Sequence, residues 1–458
     1  MNNSMKTKAS VDGFASNEAR SKHIASTLKR RRRKETRFRM MGILAVCLSI
    51  GLVGILFASI FAKGFPAFWQ ATFVLEMDFS PSIVKIAPKP VQEANELPAA
   101  YQKRVNDWAN RLNFINFNRL LLESVAKALP DTEENRRAVL EMFASSNRFT
   151  LRNMVIDDPS IVGKTVKLDL LASANVDVWL KGNIDRSLPD SQQQLSPDAR
   201  KWADKLAEMG IIQNKFSTSL FVNADSRSSP ASAGLAGAFV GSLMMMIVVI
   251  VLSVPVGVAA AVYLEEFAPQ NKWTDLIEVN INNLAAVPSI VFGLLGASVF
   301  IVVLKLPLSA PIVGGLVLSL MTLPTIIIAT RASLKAIPPS IREGALALGA
   351  SRVQAITDHV LPLARPGILT ATIIGVAQAL GETAPLLLIG MSAFVANVPA
   401  TPFDPSTALP VQIYLWNGNE LRNFFEGRTS AVIIILLALM LTLNSLAIWL
   451  RKKFEIRW

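Results

Sequence analysis

Ile341–Ile368 reads IREGALALGASRVQAITDHVLPLARPGI and stands between two long apolar segments. It holds Glu343-Gly344-Ala345, then Gly349 six residues after the glutamate, then Leu361-Pro362 a further twelve on. This spacing predicts a short helix, a glycine turn and a second short helix ended by proline. Gly349 suits a turn that needs positive φ, and Glu343 suits a helix-amide cap or a basic partner residue. Ala345, Leu346, Leu348, Val353 and Ile356 are too apolar for a loop left in water. A partner covering that face is the simpler reading than a solvated loop.

The rest of the chain says where this loop lies. With 458 residues, 51% hydrophobic and a mean hydropathy of +0.40, it is too apolar for a soluble chain and too charged for spans alone. Met40–Ala62, Ala238–Leu264, Leu284–Leu304, Gly367–Ser392 and Ala431–Leu450 reach the length needed for about 30 Å of hydrocarbon. Ser309–Thr330 is a sixth, interrupted by Pro311 and Pro324, which membrane helices tolerate. Residues 1–40 carry twelve Lys/Arg against three Asp/Glu, and residues 451–458 four against one, which together account for the whole net charge of +12. The positive-inside rule then puts both ends in the cytosol, which needs an even number of spans, and six satisfies it. The basic tail, residues 1–39, is read as a topology signal with anionic-lipid contact, not as a nucleic-acid site. The first span is too long for a cleaved signal peptide and lacks a small-residue cleavage site.

Several chemistries are excluded. Cys47 is the only cysteine and His23 and His359 the only histidines, so neither a disulfide framework nor a Cys- or His-based metal centre is expected. No G-x-x-x-x-G-K-[ST] loop occurs, so ATP chemistry and any cofactor are left to a partner. The chain reads as having no enzyme chemistry of its own, and any energy it uses must come from a partner.

Lys63–Pro230 differs from the apolar remainder, with 21 Lys/Arg and 20 Asp/Glu. Having crossed the membrane once, the chain should place this insert outside the cytosol. Tyr101–Leu129 predicts an amphipathic helix or helix pair, and Pro197–Met209 a helix with Ser196 as N-cap. Thr165–Leu180 and Phe216–Val222 alternate as half-buried strands do. The expectation is an α+β domain followed by a Ser/Ala/Gly-rich linker, Ser226–Gly237. Glu265–Asn283 is expected at the interface, and Ala393–Arg428 as a Pro-rich outer loop. Residues 231–458 then form a core of five spans, with the coupling loop at residues 331–366.

Two span motifs complete the pattern: Val287-Pro288-Ser289-Ile290-Val291-Phe292-Gly293 opens the third span, and Gly381-Glu382-Thr383-Ala384-Pro385 breaks the fifth. The loop spacing resembles the coupling loop of ABC importer permeases, with Glu343, Ala345, Gly349, Leu361 and Pro362 matching. Gly344 and His359 depart from that pattern. With the span motifs, residues 232–456 resemble the GETAP-bearing permease of phosphate-specific ABC importers. The resemblance implies an α-helical integral membrane protein with the six transmembrane helices of the type I importer fold and the insert between helices 1 and 2. It also implies an inner-membrane location, a second permease, a cytosolic dimer of ATP-binding subunits and a periplasmic phosphate-binding protein. Glu343, Gly344, Ala345, Gly349, Leu361 and Pro362 would couple to the ATPase.

Glu382 is the one acid inside a span, where a charge costs about 2.5–3.5 kcal/mol, so it should face the bundle interior or a water-filled path. A bare carboxylate repels phosphate, which casts Glu382 as partner to a cation on another subunit. The alternative is a carboxyl capping backbone freed by Pro385. Thr383, Ser289 and Thr330 are further pathway candidates, as is Gln378, which stands where the resembling family has Arg. Arg331 is read as snorkelling from the end of the fourth span. The competing readings are a permease for another oxyanion or a phosphonate, a receptor using the insert as sensor, and a proton-coupled carrier using Glu382.

Overall fold

The computed structural model describes residues 17–454. The expected basic tail therefore lies partly outside the described residues, as do residues 455–458. The chain divides into two compact units, residues 1–62 and residues 63–458. Helix α1 (Asn17–Gly64) accounts for the described part of the first. It contains the whole expected first span without a proline, and every side chain from Arg31 to Ser59 is exposed. A turn begins at Phe65-Pro66, where the proline suits the start of a new helical segment.

The second unit opens with the insert. Strand β1 (Trp69–Asp78) is followed by helices α2 (Pro98–Arg111), α3 (Asn118–Ala128), α4 (Arg136–Glu141) and α5 (Asn147–Asp157). Then come β2 (Thr165–Leu171), α6 (Ala174–Leu180), α7 (Pro197–Glu208), β3 (Ile212–Phe216) and α8 (Thr218–Val222). The three strands form one antiparallel sheet in the order β2-β1-β3. Phe73, Met77, Leu112, Leu121, Met142 and Leu206 fill its core. The expected helix pair is α2 and α3, and Ser196 caps α7 by accepting from the Ala199 amide at 3.4 Å.

Three sequence expectations for this region are corrected. Thr165–Leu180 is strand only to Leu171, because the Ser173 hydroxyl accepts from the Val176 amide and starts α6 there. Phe216 ends β3 instead of opening a strand, and Thr218–Val222 is helical. Ser226–Gly237 is no loose linker: Ala231, Ala233 and Leu235 are buried, and the Leu235 amide donates to the Leu220 carbonyl at 2.7 Å.

The remaining elements are α9 (Ala236–Val262), α10 (Lys272–Ala285), α11 (Ser289–Gly296), α12 (Pro311–Lys335), α13 (Pro339–Ala347), α14 (Arg352–Gln354), α15 (Leu361–Gly381), α16 (Ala384–Leu386), α17 (Leu409–Asn417) and α18 (Arg422–Phe454). Several continue as widened helical turns, among them Tyr263–Phe267 after α9 and Ala297–Val303 after α11. Among the described residues five helices are long and apolar enough to cross a membrane, and α10 with the α11 limb makes a sixth only as a pair bent by 99°. The expected third span, Leu284–Leu304, is thus broken near its start: Leu284 lies in the last turn of α10, Pro288 turns the chain, and α11 begins at Ser289. Pro311 starts α12 instead of breaking it, and Pro324 sits within it.

Helix α12 is the centre of the bundle, packed chiefly on α9 and α15. Small residues bring the backbones close, as membrane helices need where lipid gives no hydrophobic drive. A Cβ on Gly315 would lie 2.5 Å from Val248, and one on Gly257 2.8 Å from Ile326. The expected outer loop carries α17, and Leu409, Trp416 and Phe425 bury against Ala174, Val178 and Leu220 of the insert.

Candidate functional site

The loop first singled out folds as a hairpin. Pro339 starts α13, the chain reverses at Gly349 with φ +89°, and Ser351 and Gln354 form a capping box that starts the return limb. Ala345 and Ile356 pack inward, whereas Leu346, Val353 and above all Leu348, at 92% exposure, face outward beside Glu343 and Gly344. The return limb does not end at proline. A single helix runs Arg352–Gly381, with Leu361 and Pro362 half-buried inside it. The widened turn Ala355–Val360 precedes Pro362, and such a turn relieves the clash a proline ring makes with the carbonyl four residues back. The compact hairpin is therefore residues 339–354, narrower than the expected 331–366. His359 is exposed and does not fill an apolar slot.

Charges outside the sequence motifs hold this hairpin. Glu266, in the widened turn after α9, accepts from Arg342 Nε at 3.0 Å and from its Nη2 at 2.5 Å. Arg342 also donates to the Leu334 carbonyl at the end of α12, at 3.0 Å, and to that of Ile337 just past it, at 2.9 Å. Hydrogen bonding to Glu266 raises the pKa of that guanidinium above its ordinary value. Arg352, on the return limb, donates to the Glu266 backbone carbonyl. Neighbouring Glu265 accepts from Arg331 at 3.3 Å, and Arg331 also reaches Glu278 of α10 at 2.5 Å. Arg331 is thus a half-buried cross-link, not a snorkelling end residue. A sequence signal existed in the Glu265-Glu266 pair just past an apolar run, but its partners lie 66 to 86 residues away.

The two span motifs meet. Helix α11 crosses α16 so closely that a Cβ on Gly293 would lie 2.7 Å from the Pro385 Cα. Helix α15 ends at Gly381, Glu382 is extended at φ −79° and ψ 131°, and Pro385 lies in the first turn of α16. Glu382 is half-exposed, and among the described residues its carboxylate has no hydrogen-bond or ion-pair partner. One turn earlier, exposed Gln378 accepts from Thr325 Oγ1 at 3.3 Å. Gln378 and Glu382, four residues apart, share one face. Thr383 and Ser289 are half-exposed. Thr330 is fully buried with an unpartnered hydroxyl and stands apart from that face.

A multi-pass bundle with a hairpin standing out between two spans defines a class, the permease subunits of ABC importers. A family described as "Binding-protein-dependent transport system inner membrane component" matches residues 253–457. A "Domain of unknown function (DUF3333)" matches residues 25–190. The chain is 33% identical to a phosphate transport system permease protein PstA of Yersinia pestis over 52% of this chain and 79% of the relative. It is 33% identical to PstA 2 of Mycobacterium bovis over 49% and 74%, and 28% identical to a probable ABC transporter permease, YqgI, of Bacillus subtilis over 53% and 84%. Among solved structures it is similar to the MetNI methionine ABC transporter, with 17% identity over 49% of this chain and 95% of that one and a TM-score of 0.36. The chain belongs to the PstA family of ABC importer permeases, and its fold is that of the type I importers.

Proposed function

We propose that this protein is a permease subunit that moves inorganic phosphate inward across the inner membrane, driven by ATP hydrolysis on a separate subunit. The observation that carries this is the join of α11 and α16, where the two span motifs pack backbone to backbone at Gly293 and Pro385. The phosphate-transport names of the relatives over this core support phosphate as the substrate. A second permease completes the pore, an ATPase dimer seats on residues 339–354, and a periplasmic binding protein delivers phosphate. ATP-driven closure of the ATPases then moves the hairpin and exposes the pore to alternate sides, a rigid-body gating step. In this reading both termini are cytosolic, and residues 63–230 are a periplasmic domain between the first span and the core at residues 231–458. Cysteines introduced in the insert should react with an impermeant thiol reagent from the periplasmic side only.

The face formed by Gln378 and Glu382 borders the pathway, with Thr383 and Ser289 beside it. Glu382 has no cation of its own chain among the described residues, so the second permease supplies one, and the pair opens and closes as the pore alternates. Glu382→Gln keeps the shape and removes the charge. The complex should assemble, and ATP-driven phosphate uptake in a strain lacking the native gene should fall at least tenfold. Wild-type uptake with wild-type stimulation of ATP hydrolysis would rule out a pathway role for Glu382. Uptake competed by sulfate or a phosphonate but not by phosphate would move the substrate to another oxyanion.

A further inference from the structure

Glu266 stands where three elements meet, and each of its acceptor groups is committed to a different limb of the same hairpin. Its carboxylate holds Arg342 of α13, and its backbone carbonyl holds Arg352 of the return limb. The glutamate side chain is 7% exposed. Arg342 spends its remaining donors on the Leu334 and Ile337 carbonyls, so the end of α12 joins the same knot. Arg352 also lies over the Phe267 ring, 5.7 Å from its centre. The outward residues Leu346, Leu348 and Val353 take no part. A charged side chain this buried holds its geometry only while its partner stays in place, because separating the pair leaves an uncompensated charge. A planar guanidinium gripping a carboxylate through two donors also fixes orientation, which a single ammonium cannot.

We propose that Glu266 is a positioning residue that fastens the hairpin at residues 339–354 to the end of α9, so that a push on the exposed tip is passed into the second and fourth spans instead of bending the hairpin. The adjacent Glu265, through Arg331 and Glu278, fastens α12 and α10 to the same turn. The pair Glu265-Glu266 thereby gathers four elements at one place. This rests on the hairpin being the ATPase seat, and the test separates that from the phosphate assignment.

In a Cys47→Ser background with a reporter at Gly381→Cys, where an added side chain meets nothing within 4 Å, thiol labelling is compared in the assembled transporter with and without nucleotide and vanadate, which needs no phosphate. Glu266→Gln should retain the ATPase on purification and at least half of its hydrolysis. It should lose the nucleotide-dependent labelling change, and uptake should fall at least tenfold. Arg342→Lys, which keeps the charge but not the two-donor grip, should give an intermediate loss, and Arg352→Ala a smaller one. All three variants should reach the parent's membrane abundance, which shows that they fold. An undiminished labelling change in Glu266→Gln overturns the proposal. So does loss of the ATPase from the complex in all three variants, since Glu266 would then serve docking and not transmission. A reporter transporter with native Glu266, Arg342 and Arg352 that shows the labelling change but imports no phosphate leaves this proposal standing and removes phosphate as the substrate.

Discussion

Gly349 occupies the left-handed region at φ +89°, and a Cβ there would meet nothing within this chain. Any side chain at this turn pays about 1 kcal/mol of backbone strain, which the fold survives. The larger effect of Gly349→Asp lies outside the chain, where a charged group enters the face proposed here as the ATPase seat. The variant should insert at normal abundance yet lose ATP-driven uptake, and membrane quantitation beside an uptake assay checks both. Gly349 and Glu382 were legible in the sequence because each contradicts its surroundings, a glycine in an apolar helical pattern and an acid within a span. Glu266 was not. An acid just past a span is what membrane topology produces anyway, and only the folded chain shows that Arg342, 76 residues on, completes it.

At the scale of elements, the crossing of α11 and α16 is set by two residues that break helices elsewhere. Gly293 removes the Cβ that would strike Pro385, and Pro385 presents backbone with no amide hydrogen to satisfy. Gly293→Ala forces a contact of 2.7 Å on backbone, which cannot give way as a side-chain end can. It should destabilise the solubilised protein by about 1–3 kcal/mol, read as a fall of several degrees in unfolding temperature. Gly381→Ala, whose Cβ meets nothing, is the control and should stay within about 0.5 kcal/mol. Elements were readable where one face alone is buried. Helix α7 alternates cleanly around Ala199, Trp202, Ala203 and Leu206 and was found with its cap. Strand β1 is covered on both faces along most of its length, so it carries no period-two signal and went unseen. The Pro288 bend was read as the mouth of a span because composition cannot tell a helix start inside a span from a corner before it.

At the scale of the molecule, the insert and the bundle share buried surface. Asp225 accepts from the Gln412 amide and the Trp416 indole of α17, both at 3.1 Å. Leu409, Trp416, Phe424 and Phe425 lie under insert residues. Replacing Ser80–Asp225 with a short flexible linker uncovers that apolar surface and strips two acceptors from α17. Membrane abundance of the variant should fall several-fold, and its detergent-solubilised form should unfold at a lower temperature. A linker variant as abundant and as heat-stable as the parent would mean that the insert carries no part of the core's stability, and a fall in uptake alone would then assign it to docking of the binding protein.

Arg428, near the start of α18, is wholly buried, and it donates to the Ala231 and Ala233 carbonyls and to Gln70 Oε1. Those acceptors lie 195 to 358 residues earlier in the chain. Synthesis runs from the N-terminus, so all three acceptors leave the ribosome before the arginine that joins them. A guanidinium this deeply buried is tolerated only with its acceptors in place, so α18 can seat here only once Gln70, Ala231 and Ala233 stand where they do, and one side chain makes the docking of the helix conditional on the folding of a segment far upstream.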